Sequence, residues 1–112
     1  MKIKLYEVAE IIRTKNAGPF ELTFDIIFSS RKVFEEVISK NLINHRIVAK
    51  LYSISNDQII SVIYFPQSRA IKFTIIRHTP SGDIGDRDVY GAQQHAPLLK
   101  FELELATDGT DL

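Results

Sequence analysis

The 112-residue sequence predicts an α+β fold, a mostly antiparallel sheet of four or five strands with two helices on one face. Three observations carry that expectation. FELTFDIIF (20–28) alternates strictly, with Phe20, Leu22, Phe24, Ile26 and Phe28 on one side and Glu21, Thr23 and Asp25 on the other, the period of a half-buried strand. RKVFEEVISKNL and HRIVAKLY place apolar residues at helical spacing behind Ser29-Ser30 and Asn44, residues that cap helices. IISVIYF and AIKFTIIRH are rich in β-branched residues and are separated by the tight segment PQSR, which turns one strand back on the other.

The remaining elements follow in order. KIKLYEVAEIIR (2–13) reads as a short strand leading into a turn or short helix: Ile3 and Leu5 alternate, whereas Leu5, Val8, Ala9 and Ile12 have helical spacing. TKNAGP reads as a polar turn, since Asn16, Gly18 and Pro19 are turn residues. In the first helix Val33, Phe34, Val37 and Ile38 form the apolar stripe, and in the second Ile47, Val48 and Leu51 point inward. IISVIYF has the composition of a buried strand, and the next strand turns Ile71, Phe73 and Ile75 to the core and Lys72, Thr74 and Ile76 away from it. Residues 79–97 have no regular pattern. LLKFELEL alternates again, with Leu99, Phe101, Leu103 and Leu105 inward, and a polar tail begins at about residue 106. Helices segregated to one face of such a sheet make a ferredoxin-like sandwich the expected arrangement of this single domain.

Composition excludes several function classes. Fourteen basic and fourteen acidic residues give zero formal net charge, against nucleic-acid or anionic-membrane binding, and little charge repulsion between copies, which favours a homo- or hetero-oligomer. Without cysteine there is no disulfide, thiolate metal site or cysteine nucleophile. No apolar run is long enough to span a bilayer, and MKIKLYEVAE lacks the apolar stretch of a signal peptide, so the expected location is cytoplasmic.

Candidate chemistry concentrates in the patternless segment. A connection of that length in a small domain is ordinarily functional or disordered, and Val89, Tyr90 and the Ala96–Leu99 exit are able to pack, so it reads as an ordered functional or interface loop, with a structural cover over a sheet edge as the alternative. SGDIGDRD lacks the alternate acidic spacing and terminal Glu of a calcium loop, so Asp83, Asp86 and Asp88 read as turn and capping groups near Arg87 or Arg77. His45, His78 and His95 have no zinc spacing, and neither a metal nor a cofactor is expected. His95, beside Gln93 and Gln94, is the histidine best suited to move a proton, and a hydrogen-bonded loop anchor is its structural alternative. Glu21 and Asp25 lie roughly 13 Å apart on one strand face, too far for a carboxylate dyad. Asp25 therefore either acts alone or pairs with Lys72 or Lys15 across the sheet. Lys15, with Asn16 beside it, is placed to hold an anionic substrate group, although the glycine spacing of a phosphate loop is missing.

RTKNAGPFELTFDIIF (13–28) and SGDIGDRDVYGAQQHAPLL (81–99) together resemble the two signature stretches of a small family of unknown function. Its members are associated with, or fused to, AtuA-like proteins, named for acyclic terpene utilisation. The similarity covers roughly residues 4–105, and LYEVAEIIRTKNAG is similar to the start of the ferredoxin-fold domain that ends AtuA-like proteins. The resemblance implies a companion subunit or domain for a larger AtuA-like protein, and it places Lys15, Asn16, Asp25, Ser81, Asp86, Asp88, Tyr90, Gln93, Gln94 and His95 within the matched motifs. Two functions are compatible with this reading. One is a small subunit of a heteromeric enzyme acting on small carboxylic acids or CoA thioesters by hydration or elimination. Lys15 or Arg77 would hold the carboxylate, His95 or Asp25 would move a proton, and Ser81, Asp86, Asp88, Tyr90, Gln93 and Gln94 would line the small-molecule site. The other is a non-catalytic binding or assembly domain that docks a partner through the 79–97 segment.

Overall fold

The structure, a computed structural model, describes residues 1–76 and 96–106. Strand β1 (Lys2–Lys4) leads into the single-turn helix α1 (Leu5–Val8) and then β2 (Ala9–Gly18) and β3 (Glu21–Phe28). Helices α2 (Arg31–Ser39) and α3 (His45–Tyr52) precede β4 (Ile59–Phe65) and β5 (Ala70–Ile76). After the segment outside the described residues come α4 (Ala96–Leu99) and β6 (Glu102–Glu104). The α+β class is as expected, in two antiparallel sheets, one of four strands ordered β2-β3-β5-β4 and one of two, β1-β6.

A ferredoxin-like sandwich contains two split β-α-β units. Among the described residues one such unit is present: β3 and β4 run parallel, joined through α2 and α3, with β5 between them antiparallel to both. The fourth strand, β2, reaches its place beside β3 by a hairpin from the N-terminal side, so no second crossover delivers it.

Both long helices start where their caps predict. The Ser30 hydroxyl accepts a hydrogen bond from the Val33 N–H at 3.3 Å, and the Asn44 side chain accepts one from the Ile47 N–H at 2.9 Å. Both stop where a residue enters the left-handed region, Asn41 after α2 and Ser53 after α3. There the Leu42 N–H donates to the Val37 carbonyl and the Ile54 N–H to the Ala49 carbonyl, satisfying groups the last turn leaves open. The helices cover the sheet face that carries Leu22, Phe24, Ile26, Phe28, Ile71, Phe73 and Ile75, all buried with Val33, Phe34, Val37 and Val48. Phe24 and Phe73 are register partners whose rings stack with centroids 4.5 Å apart, and Tyr52 of α3 closes on Phe24 at 4.9 Å.

Five expectations are corrected. LLKFELEL is not one strand of the main sheet: Ala96–Leu99 is helical, and only Glu102–Glu104 extends, pairing with Lys2–Lys4. Leu103 and Leu105 do turn inward, but Leu99 is exposed, because a helical turn breaks the period-two phase before Phe101. TKNAGP is mostly strand, since β2 pairs with β3 as far as Gly18 and leaves only Pro19 and Phe20 as the hairpin turn. Gly18 supplies the bend there with φ +145°, open to glycine and strained for other residues, and Phe20 lies outside β3 and is exposed. Finally, β4 is not a buried strand: among the described residues it is an edge, with Ile60, Ile63 and Phe65 exposed.

Replacing Phe24 by Ala removes both ring contacts and should cost about 3–5 kcal/mol of unfolding free energy in a urea titration. A loss under about 1 kcal/mol would show that the stack is not central to the core. Burial also pushes the Tyr52 phenol above its ordinary range. The folded chain thus keeps a proton that the unfolded chain loses above about pH 10, so stability is whole below that pH and falls as pH rises past it. Tyr52→Phe should abolish this contribution, and the stability difference between wild type and variant should shift against wild type by at most about 1.4 kcal/mol per pH unit in the alkaline range.

Candidate functional site

Cross-strand partners in an antiparallel sheet share a face, so the register lays out the sheet surface turned away from the helices. Its first row is Ile11, Ile27, Ala70 and Phe65. The second is Arg13, Asp25, Lys72 and Ile63, and the third Lys15, Thr23, Thr74 and Ser61. Glu21 and Ile76 end the face at the hairpin tip. It is therefore a band of charges and hydroxyls bordered by apolar side chains, of which Ile11, Ile63, Phe65 and Ile76 are exposed.

Within the band the groups are organised. Arg13 Nε donates to Asp25 Oδ2 at 3.1 Å, and the Asp25 side chain is only 16% exposed while that of Arg13 is 60% exposed. Lys72 is the cross-strand neighbour of Asp25 on its other side. The partner of Asp25 is thus Arg13 and not the expected Lys72 or Lys15. Lys15 is opposed to Thr23 and not to Asp25, whereas Arg13 and Lys72 are both opposed to Asp25 and it is Arg13 that makes the ion pair. Thr23 and Thr74, 3% and 9% exposed, share a hydroxyl–hydroxyl hydrogen bond of 3.3 Å.

Lys15 and Asn16 do not converge. Lys15 is exposed on the open face, and Asn16, opposite Leu22, turns to the helix side. Successive strand residues point to opposite faces, and reading this stretch as a turn concealed that separation. His95, Arg77, Ser81, Asp86, Asp88, Tyr90, Gln93 and Gln94 lie outside the described residues, as do His78, Asp83 and Arg87. His45 is exposed at the first position of α3. Among the described residues no group of three or more His, Asp or Glu side chains could hold a metal ion.

Two features escaped the sequence reading. Arg13 belongs to the band, and the alternation Ile11, Arg13, Lys15 was the signal that could have placed it there. The Thr14 hydroxyl is buried on the helix side without a hydrogen-bond partner, for which no sequence pattern gives warning. An open depression of about 590 Å³, lined by Tyr64, Phe65, Pro66, Gln67 and Ser68, sits at the β4–β5 turn. By register that turn is at the opposite end of the sheet from the hairpin tip.

Residues 5–102 match the model of a family described as Domain of unknown function (DUF4387). The chain belongs to this family. No curated protein and no solved structure matches it. The DUF4387 match takes in the whole β2–β3 hairpin and hence Arg13, Lys15, Thr23 and Asp25. With Asp25 engaged by Arg13, this band can present the exposed Lys15 to an anionic or polar surface, but among its described groups it sets no second carboxylate or histidine beside Asp25 to pass a proton.

Thr23→Val should cost about 1 kcal/mol by leaving the Thr74 hydroxyl without this partner. The Thr23→Val/Thr74→Val double variant should cost less than the sum of the two singles, a coupling of about 0.5 kcal/mol or more in a denaturation cycle. Strict additivity would show that the hydroxyls do not interact.

Proposed function

We propose that this chain is a companion subunit of a larger AtuA-like protein, and that it docks through the open face of β2, β3 and β5. The observation that carries the reading is the division of side chains in RTKNAGPFELTFDIIF. Leu22, Phe24, Ile26 and Phe28 fill the core, whereas Arg13, Lys15 and Asp25 stand on the face that no described helix covers. Core packing needs the first set and makes no demand on the second. A charged band with exposed Ile11 and Ile76 at its margins has the composition of an interface, apolar contact area with charges to set register. The AtuA-like identity of the partner is supported by the resemblance of the 13–28 and 81–99 stretches.

On this reading the chain contributes assembly and anion-holding groups. In a heteromeric enzyme acting on small carboxylic acids or CoA thioesters, Lys15 and Lys72 would face the carboxylate, while the proton-transfer groups would come from the larger subunit or from His95.

The test is co-expression with an AtuA-like protein from the same genome and affinity capture on a tag carried by the larger chain. Stoichiometric co-purification is expected. The Ile11→Asp/Lys15→Glu variant, altered at two exposed positions, should keep its circular dichroism and lose at least about tenfold in affinity. Absence of co-purification, or full affinity in the variant, removes this reading.

A further inference from the structure

Strand β4 has the wrong composition for its place. It is an edge of the four-stranded sheet, and β5 is its only strand neighbour among the described residues. Yet Ile59–Phe65, IISVIYF, contains no charged residue. An edge strand offers a row of unpaired N–H and C=O groups, and chains ordinarily guard that row with charges, proline or a bulge. The opposite edge is guarded in this way, by Glu10, Arg13 and Lys15 in β2. In β4 a bulge between Ile59 and Ser61 disturbs only the beginning, and residues 61–65 remain regular. Ile60, Ile63 and Phe65 are 50%, 45% and 42% exposed, although β-branched and aromatic residues of this kind read as a central strand.

We propose that β4 pairs antiparallel with β4 of a second copy across a two-fold axis, joining two four-stranded sheets into one of eight. A strand without charge is its own complement in any register, and at zero formal net charge the two chains do not repel each other at long range. Centred on Ile63, the pairing sets Ile63 against its own copy, Ser61 against Phe65 and Val62 against Tyr64. Small then meets large on both faces, and no like charges are opposed. A β2–β2 pairing centred on Thr14 would instead set Arg13 against Lys15. The proposal is independent of the companion-subunit reading, because β4 lies at the far edge from the β2–β3 hairpin.

The experiment is sedimentation equilibrium on the full chain alone at micromolar concentration, beside Ile63→Lys and Ile63→Glu. Wild type should be a dimer. Each variant should be a folded monomer by circular dichroism, with dimerisation weakened by about tenfold or more. Mixing the two variants should restore a dimer, since Lys then opposes Glu across the axis, an outcome that general unfolding cannot mimic. A monomeric wild type overturns the proposal, most directly if β4 amides are nonetheless protected from hydrogen exchange, since another segment of the chain would then cover the edge. A dimer that survives in Ile63→Lys overturns it as well.

Discussion

The stack of Phe24 on Phe73 is the contact on which the rest of the structure depends. It lies where β3 meets β5, the two inner strands, and it is the floor against which Tyr52 of α3 closes. Because the two rings are register partners, the stack also fixes how β3 and β5 align. In a sheet a slip of one residue would turn every side chain to the other face. The helix-side core and the open face are thus two consequences of one registration.

That registration explains why the polar band exists. Once Leu22, Phe24, Ile26 and Phe28 are committed to the helices, Thr23 and Asp25 must face the other way, and their partners across the ladder follow. Arg13 meets Asp25, Lys72 flanks it, and Thr23 meets Thr74. The two contacts differ in kind: the Thr23–Thr74 bond is buried, whereas the Arg13–Asp25 pair has one exposed partner. The band's exposed cations are Arg13 and Lys15, on the strand that the register places beside β3.

The two edges of the sheet differ in composition. At one, the hairpin brings β2 with its charges. At the other, β4 ends the sheet with an uncharged strand suited to meeting its like. A protein assembled through both would carry its larger partner near the hairpin and a second copy at the far side, with eight strands between. Membership of a family described only as a domain of unknown function leaves that geometry as the most concrete guide to what the chain does.

The sequence by itself determined the elements whose signal is local. Ser30 and Asn44 announced their helices, because a cap is a contact across three residues. The alternation in FELTFDIIF announced β3, because burial of one face imposes period two on a strand. Where the local signal was mixed, the tertiary structure decided. TKNAG carries turn residues, yet pairing with β3 holds it extended to Gly18, since each ladder bond gained outweighs a weak local preference. IISVIYF reads as buried but lies at an edge among the described residues, because composition reports how much a strand can bury and says nothing of which strand lies beside it. The same holds for LLKFELEL, divided between a helical turn and a strand paired to the N-terminus. For the candidate site, the residues of the 13–28 motif were legible one by one. Their partnership was not, since the Arg13–Asp25 pair and the Thr23–Thr74 bond join different strands, the second of them 51 positions apart, and only the folded register brings them together.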